Sequence, residues 1–119
     1  MNKFDIGDIV FVSEYNYRSG EKGKNHSFVI VDERQAIDID YFGFLLSSKI
    51  KKETYPYNKK IKKNGENNLY KTSIVKCDDL ILIKETEIKF KIGRVSQKEL
   101  KEFIDVYLKS LKQNKNFKS

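Results

Sequence analysis

Short runs of apolar residues, separated by polar and glycine-containing segments, fill the chain as far as residue 92. Runs of this length, rich in Val, Ile, Phe and Tyr, are typical of β-strands. The pattern predicts six or seven strands, at residues 8–13, 28–31, 37–46, 57–61, 73–76, 80–83 and 87–92.

The run from residue 37 to residue 46 changes its pattern part-way along. It alternates at first, so Asp38 and Asp40 are expected to face water, and it then becomes wholly apolar. Gly43 lies where the alternation slips, and a glycine inside a strand often marks a bend. We therefore predict a strand that bends at Gly43, preceded by a turn at residues 32–35.

The last periodic segment predicts a helix. Ser96 and Glu99 have the spacing of a capping box, in which each side chain bonds the backbone N–H of the other residue. Apolar residues then recur at three- and four-residue steps: Leu100, Phe103, Ile104, Tyr107, Leu108 and Leu111. The predicted helix is about 24 Å long and completes a single domain over residues 1–112. The basic residues 113–119 are predicted to be a disordered tail. We expect a mainly β fold, a small antiparallel β-barrel with one C-terminal helix.

Net charge, cysteine content and the absence of long apolar segments limit the possible partners and sites. The formal net charge is +7, from 24 basic and 17 acidic residues. A basic surface attracts phosphate backbones and acidic partners alike, although a solvated coat of lysines explains the charge equally well. The single cysteine, Cys77, excludes an internal disulfide and a zinc site made of several cysteines. No apolar segment has the length of a signal peptide or a membrane span. We expect a cytoplasmic protein that does not enter a membrane.

The candidate functional residues lie at the join between residues 18–25, which are basic and contain two glycines, and the apolar run at residues 28–31. His26, the only histidine, occupies this join. Mobile loops held by a rigid scaffold often carry function. Tyr15 and Tyr17, in the same long connection, either stack on unpaired bases or pack against the barrel. No phosphate-binding glycine motif, metal-ligand cluster or Ser-His-Asp pattern is present, so we expect neither a metal nor a cofactor.

The chain resembles the MazF/PemK toxins over most of its length. Those proteins open with Gly-Asp-Ile-Val, continue with Arg-Pro-x-Leu-Val-Val, and follow with Ile-Thr-Ser and a downstream proline. The matching segments here are Phe4–Val12, His26–Val31, Leu46–Ile50 with Tyr55-Pro56, Ser73–Lys76 and the closing amphipathic helix. The family arginine and proline are replaced here by His26 and Ser27.

The resemblance implies a function and a set of partners. Members of the family are SH3-like or CcdB-like barrels that pair as homodimers. They cut single-stranded RNA without a metal, and a cognate antitoxin, a protein or an RNA, restrains them. The family's arginine and hydroxyl residue do the chemistry, and their positions correspond here to His26 and Ser47.

These positions suit RNA cleavage in the following way. Histidine shuttles protons near neutral pH, so His26 is predicted to act as general acid or base. Ser47 is predicted to hydrogen-bond the scissile phosphate, and Lys24 or Arg18 to offset the developing negative charge. The predicted RNA-binding residues are Arg18, Lys22, Lys24, Ser48 and Lys49.

Simpler roles remain open for each residue. His26 can end a strand and bond a carbonyl, and hydroxyls at strand ends often satisfy local backbone groups. Any single lysine can be a solvated surface charge. Two other functions also remain open, namely a non-catalytic toxin of the same fold that acts on a protein target, as CcdB-like relatives act on gyrase, and a non-toxic RNA-binding module.

Overall fold

The computed structural model describes residues 3–13, 25–35, 38–48 and 55–118 of the chain. The prediction of a mainly β fold with one C-terminal helix is confirmed. Within the described residues the elements are β1 (Asp8–Val12), β2 (His26–Gln35), β3 (Ile39–Ser47), β4 (Asn58–Ile61), β5 (Ser73–Lys76), β6 (Ile81–Lys84), a 3₁₀ turn (Glu85–Glu87), β7 (Ile88–Arg94) and α1 (Gln97–Lys118).

The seven described strands form one antiparallel sheet, and six of them follow the order β4-β5-β3-β2-β1-β7. Strand β6 lies off this path and pairs with the first half of β3, whereas β5 pairs with its end. The described residues of β4 and β7, at the two ends of the order, form no ladder with each other. The sheet is therefore not closed, and a barrel is not confirmed.

A turn between β4 and β5 bridges the opening. The Arg94 backbone N–H donates to the Glu66 carbonyl (3.1 Å), and the Asn68 side chain donates to the Ile92 carbonyl (3.1 Å). A Cβ at Gly93 would overlap the backbone carbonyl of Asn67. Only glycine therefore lets the turn approach β7 so closely.

Strand β2 is longer than the pattern predicts. The predicted turn at residues 32–35 is wrong, because β2 continues to Gln35 after a bulge between Ile30 and Asp32. The prediction that Asp40 faces water is also wrong, since it is 7% exposed. Its carboxylate lies 2.7 Å from the Arg34 guanidinium across the β2–β3 ladder. Such a pair satisfies a buried charge that alternation alone assigns to solvent.

Side chains alternate between two cores, one on each face of the sheet. The helix-side core packs against α1 and contains Ile9, Val29, Val31, Phe44, Leu46, Ile61, Val75, Cys77, Val95 and Phe103. The opposite-face core contains Val10, Val12, Phe28, Ile30, Tyr41, Ile83 and Ile88. Apolar burial on both faces explains why the strands read as unbroken apolar runs.

The start of α1 follows the predicted capping box. The Ser96 backbone N–H donates to Glu99 Oε1 (3.1 Å), and the Glu99 backbone N–H donates to Ser96 Oγ (3.1 Å). The helix then runs for 22 residues, about 33 Å. Its bounds include residues 113–118, where no glycine or proline interrupts the helix. The disordered tail predicted for residues 113–119 stays a prediction. Within the described part of the chain, no helix is both long and apolar enough to span a membrane.

Only the first part of the apolar stripe of α1 packs against the sheet. Phe103 is 1% exposed and packs in the helix-side core with Leu100, Ile104 and Tyr107 beside it. Further along, Leu108 and Leu111 are 50% and 44% exposed. The first three turns of the helix therefore attach it to the sheet.

Candidate active site

The two predicted catalytic residues lie side by side where β2 begins and β3 ends. Ser27 of β2 pairs with Leu46 of β3 in an antiparallel ladder. One further step in this register places His26 opposite Ser47. Opposite residues of neighbouring strands point to the same face, and the strands are about 4.8 Å apart. The fold thus brings together two residues that are 21 positions apart in the sequence.

This pair lies on the face that carries the opposite-face core. His26 pairs on its other side with Val12, which is fully buried. The His26 ring meets Phe28 edge to face, with 6.4 Å between the ring centroids. His26 and Ser47 are themselves half-buried. An imidazole fixed by buried neighbours, yet open to solvent, is positioned to exchange protons with a bound molecule.

Lysines of the next two strands continue the same face. Ser47 pairs with Ile74 of β5, and Ile74 pairs with Lys60 of β4. Lys76 lies two residues beyond Ile74, so its side chain leaves the sheet on this face as well. His26, Ser47 and Lys60 therefore lie in one row across the sheet, with the fully buried Ile74 between Ser47 and Lys60, and Lys76 lies beside this row. The sequence alone does not point to Lys60 and Lys76, because only the strand order β3-β5-β4 shows that they share a face with His26.

The other predicted binding residues are less constrained by the structure. Ser48 is exposed, one residue beyond the end of β3. Arg18, Lys22, Lys24 and Lys49 lie outside the described residues, as do Tyr15 and Tyr17. Their roles in binding remain predictions.

Three other titratable side chains have pKa values above their ordinary range. Burial raises the pKa of the Cys77 thiol to about 12, so it stays protonated and is a poor nucleophile. Burial and the hydrogen bond to Glu85 raise the pKa of Tyr41 to about 12. The Asp78 carboxylate, which accepts a hydrogen bond from the Tyr55 hydroxyl (3.2 Å), raises the pKa of Tyr55. Among the described residues, no group of three or more His, Cys, Asp or Glu side chains is arranged to hold a metal ion.

The chain matches a known protein family over most of its length. Residues 5–108 match the family model of the PemK-like, MazF-like toxins of type II toxin-antitoxin systems. No curated protein matches the chain. The matched range includes all seven strands, His26, Ser47 and the part of α1 that packs on the sheet. The resemblance drawn from the sequence motifs is confirmed, and the chain belongs to the PemK-like, MazF-like family of type II toxins.

Proposed function

We propose that this protein is a toxin that cuts single-stranded RNA without a metal ion, and that His26 and Ser47 carry the reaction. The observation that carries the proposal is the register of β2 and β3, which sets these two residues opposite each other on one face. Family membership supports the type of protein, and the lysines on the same face suit a polyanionic substrate.

The reaction requires two proton transfers. The ribose 2′-oxygen attacks the adjacent phosphorus and loses its proton, while the bond from phosphorus to the 5′-oxygen breaks and that oxygen gains a proton. The products are a 2′,3′-cyclic phosphate and a 5′-hydroxyl. His26 supplies one of the transfers as general base or general acid, because histidine titrates near neutral pH.

The remaining groups bind and stabilise the phosphate. Ser47 Oγ donates a hydrogen bond to a non-bridging oxygen, which gains charge in the pentacoordinate transition state. Lys60 and Lys76 add positive charge to the same face of the sheet. Arg18 or Lys24 is proposed to offset the developing negative charge as well.

The partners follow from the family. A toxin of this kind acts in the cytoplasm on mRNA and is held inactive by a cognate antitoxin, for which a protein is the first expectation. We further propose that two copies form a homodimer.

The test uses purified protein, a mixed-sequence single-stranded RNA and an excess of EDTA. We expect cleavage that leaves cyclic-phosphate ends, and we expect His26→Ala to lower the rate about 10²- to 10⁴-fold. His26→Arg restores the residue that the family has at this position. If His26 transfers a proton, His26→Arg stays slow and loses the change of rate with pH near neutrality.

Two results would contradict the proposal. His26→Arg with full activity and an unchanged pH profile would assign the residue a charge role instead of proton transfer. Wild-type protein that arrests bacterial growth without cutting RNA would favour a toxin acting on a protein target. Circular dichroism of each variant checks that the fold is intact.

A further inference from the structure

The segment between β4 and β5 exposes an aromatic ring almost completely. Tyr70 is 91% exposed, more than any other large apolar or aromatic side chain among the described residues. A single exposed ring is common on protein surfaces and needs no explanation by itself. Tyr70 differs from such a ring because it belongs to an ordered, lysine-rich segment, residues 62–71, which we call the Tyr70 turn.

The Tyr70 turn is held by a buried amide. The side chain of Asn67 is fully buried, and its oxygen accepts the backbone N–H groups of Asn64 and Leu69 (both 3.0 Å). Its nitrogen donates to the Lys62 carbonyl (2.8 Å). The two hydrogen bonds to β7 described above fix the turn to the sheet. Leu69 then packs into the helix-side core, and Tyr70 is left in solvent.

The Tyr70 turn also contains three lysines. Lys62, Lys63 and Lys71 are exposed, and in the described part of the chain no carboxylate lies within ion-pair distance of their ammonium groups. Residues 58–76, which we call the lysine hairpin, contain six lysines and a single glutamate. The Tyr70 turn therefore combines an almost fully exposed ring with three exposed lysines and a single glutamate, Glu66.

The Tyr70 turn is close to the candidate active site along the chain. Ile74, which pairs with Ser47, is four residues from Tyr70. Four residues span at most about 14 Å. A single strand bound at Ser47 thus needs only a few more nucleotides to reach the ring.

We infer that the Tyr70 turn binds the single-stranded RNA that flanks the cleaved bond. One base stacks on the Tyr70 ring while Lys62, Lys63 and Lys71 hold the neighbouring phosphates. This inference rests on the proposed function for its substrate class. Single-stranded RNA presents bases and phosphates together, and proteins bind it with aromatic rings set among basic side chains. An acidic peptide would use the lysines and leave the ring unused.

Rigidity supports binding at this turn. A loop that is already ordered loses little conformational entropy when it binds, so more of the contact energy appears as affinity. The hydrogen bonds of Asn67 supply this order before any ligand arrives.

Equilibrium binding tests the ring. The probe is a fluorescein-labelled, fully 2′-O-methylated oligouridylate of about 12 nucleotides, which has no free 2′-hydroxyl and cannot be cleaved. We expect Tyr70→Ala to weaken its binding about 5- to 100-fold, and Tyr70→Phe to bind within about twofold of wild type. Phe90→Ala, at an exposed ring on β7, is the matched control and should bind like wild type.

Salt dependence tests the lysines. Each phosphate contact to a single strand contributes about 0.7 to the slope of log K against log salt. The triple variant K62Q/K63Q/K71Q should therefore reduce that slope by about 2. The matched control K98Q/K101Q/K109Q removes the same charge from exposed positions of α1 and should leave the slope nearly unchanged.

The outcomes separate this inference from the proposed function. If Tyr70→Ala binds the probe like wild type, or both triple variants reduce the slope equally, the inference is overturned even if His26-dependent cleavage is found. If binding depends on Tyr70 but no RNA is cut, the inference stands and the cleavage proposal fails. If K62Q/K63Q/K71Q binds RNA like wild type but binds polyglutamate more weakly than wild type does, the inference is also overturned, in favour of an acidic protein partner.

Discussion

Two hairpins of the sheet differ in almost every physical respect. Residues 26–47, which we call the central hairpin, carry four carboxylates and one arginine, and their two long strands lie between the two cores. The lysine hairpin has strands of four residues each, at the end of the sheet order. The central hairpin is packed on both faces, whereas the lysine hairpin combines buried residues such as Ile61 and Val75 with a strongly basic exposed surface.

This difference separates two tasks of the proposed reaction. Groups that transfer protons or stabilise a transition state must be held in place, and buried strands do this well. Groups that attract a polyanion act over longer distances and tolerate exposure. The central hairpin is therefore expected to determine the chemical step, and the lysine hairpin the affinity for RNA.

The largest effect that tests this division is expected at Ser47. Loss of one positioned donor to a developing oxyanion typically costs about 10²–10³ in kcat. We expect Ser47→Ala to lower kcat by this factor with little change in KM. Lys60→Gln should instead raise KM and leave kcat nearly unchanged. Steady-state cleavage of a fluorogenic RNA measures both constants, and a kcat effect of equal size in both variants would contradict the division.

A smaller effect, on stability, is expected where the lysine hairpin meets β7. A Cβ at Gly93 meets the backbone of Asn67 and Glu66, which cannot move without breaking the bridge to β7. We expect Gly93→Ala to lower the free energy of unfolding by about 2–3 kcal/mol, measured by urea titration.

Gly65 provides the matched control for Gly93. A Cβ there meets nothing within 4 Å, so Gly65→Ala should change stability by less than about 0.5 kcal/mol. Equal effects of the two substitutions would show that the bridge does not stabilise the fold.

The smallest effect is a pH dependence in the central hairpin. The Tyr41 hydroxyl donates to Glu85 (2.5 Å), and the pKa of Tyr41 is raised from 10.0 to about 12. The folded protein therefore keeps the neutral form, and the resulting stability is complete below pH 10 and is lost as the pH rises to 12. Between these values the free energy of unfolding should fall by about 2 kcal/mol more in wild type than in Tyr41→Phe.

Cys77 requires a control in that experiment, because burial raises its pKa from 9.0 to about 12 and gives a similar alkaline loss. Cys77→Ala should remove its own contribution and keep that of Tyr41. If the free energy of unfolding falls equally between pH 10 and pH 12 in Tyr41→Phe and in wild type, the tyrosine does not contribute to this pH dependence.

Local patterns in the sequence predict much of the fold. Strand β5 has the predicted bounds, and β1 differs by one residue. The capping box at Ser96 places the start of α1, because its two hydrogen bonds involve residues only three positions apart. The burial of Asp40 could not be predicted in this way. It depends on the ion pair with Arg34 on the neighbouring strand, and the pattern of residues 32–35 predicts a turn there instead of a strand.

The candidate site likewise contains residues that the sequence predicts and residues that it does not. Family motifs point to His26 and Ser47, and the ladder between β2 and β3 is local enough to bring them together. The shared face of Lys60 and Lys76 depends on β5 lying between β3 and β4, which no local pattern indicates. The buried Asn67 is also unpredictable, because its partners form a tertiary contact within an otherwise polar segment.

The two outer strands of the sheet order, β4 and β7, constrain where another strand can add. Strand β4 carries Lys59 and Lys60, and β7 carries Lys89 and Lys91. Charged side chains on outer strands discourage another strand from adding there, because like charges would face each other across the new ladder. Strand addition at β4 and β7 is thereby disfavoured, and a second molecule is expected to bind there less readily than at the broad surfaces of the sheet or the helix.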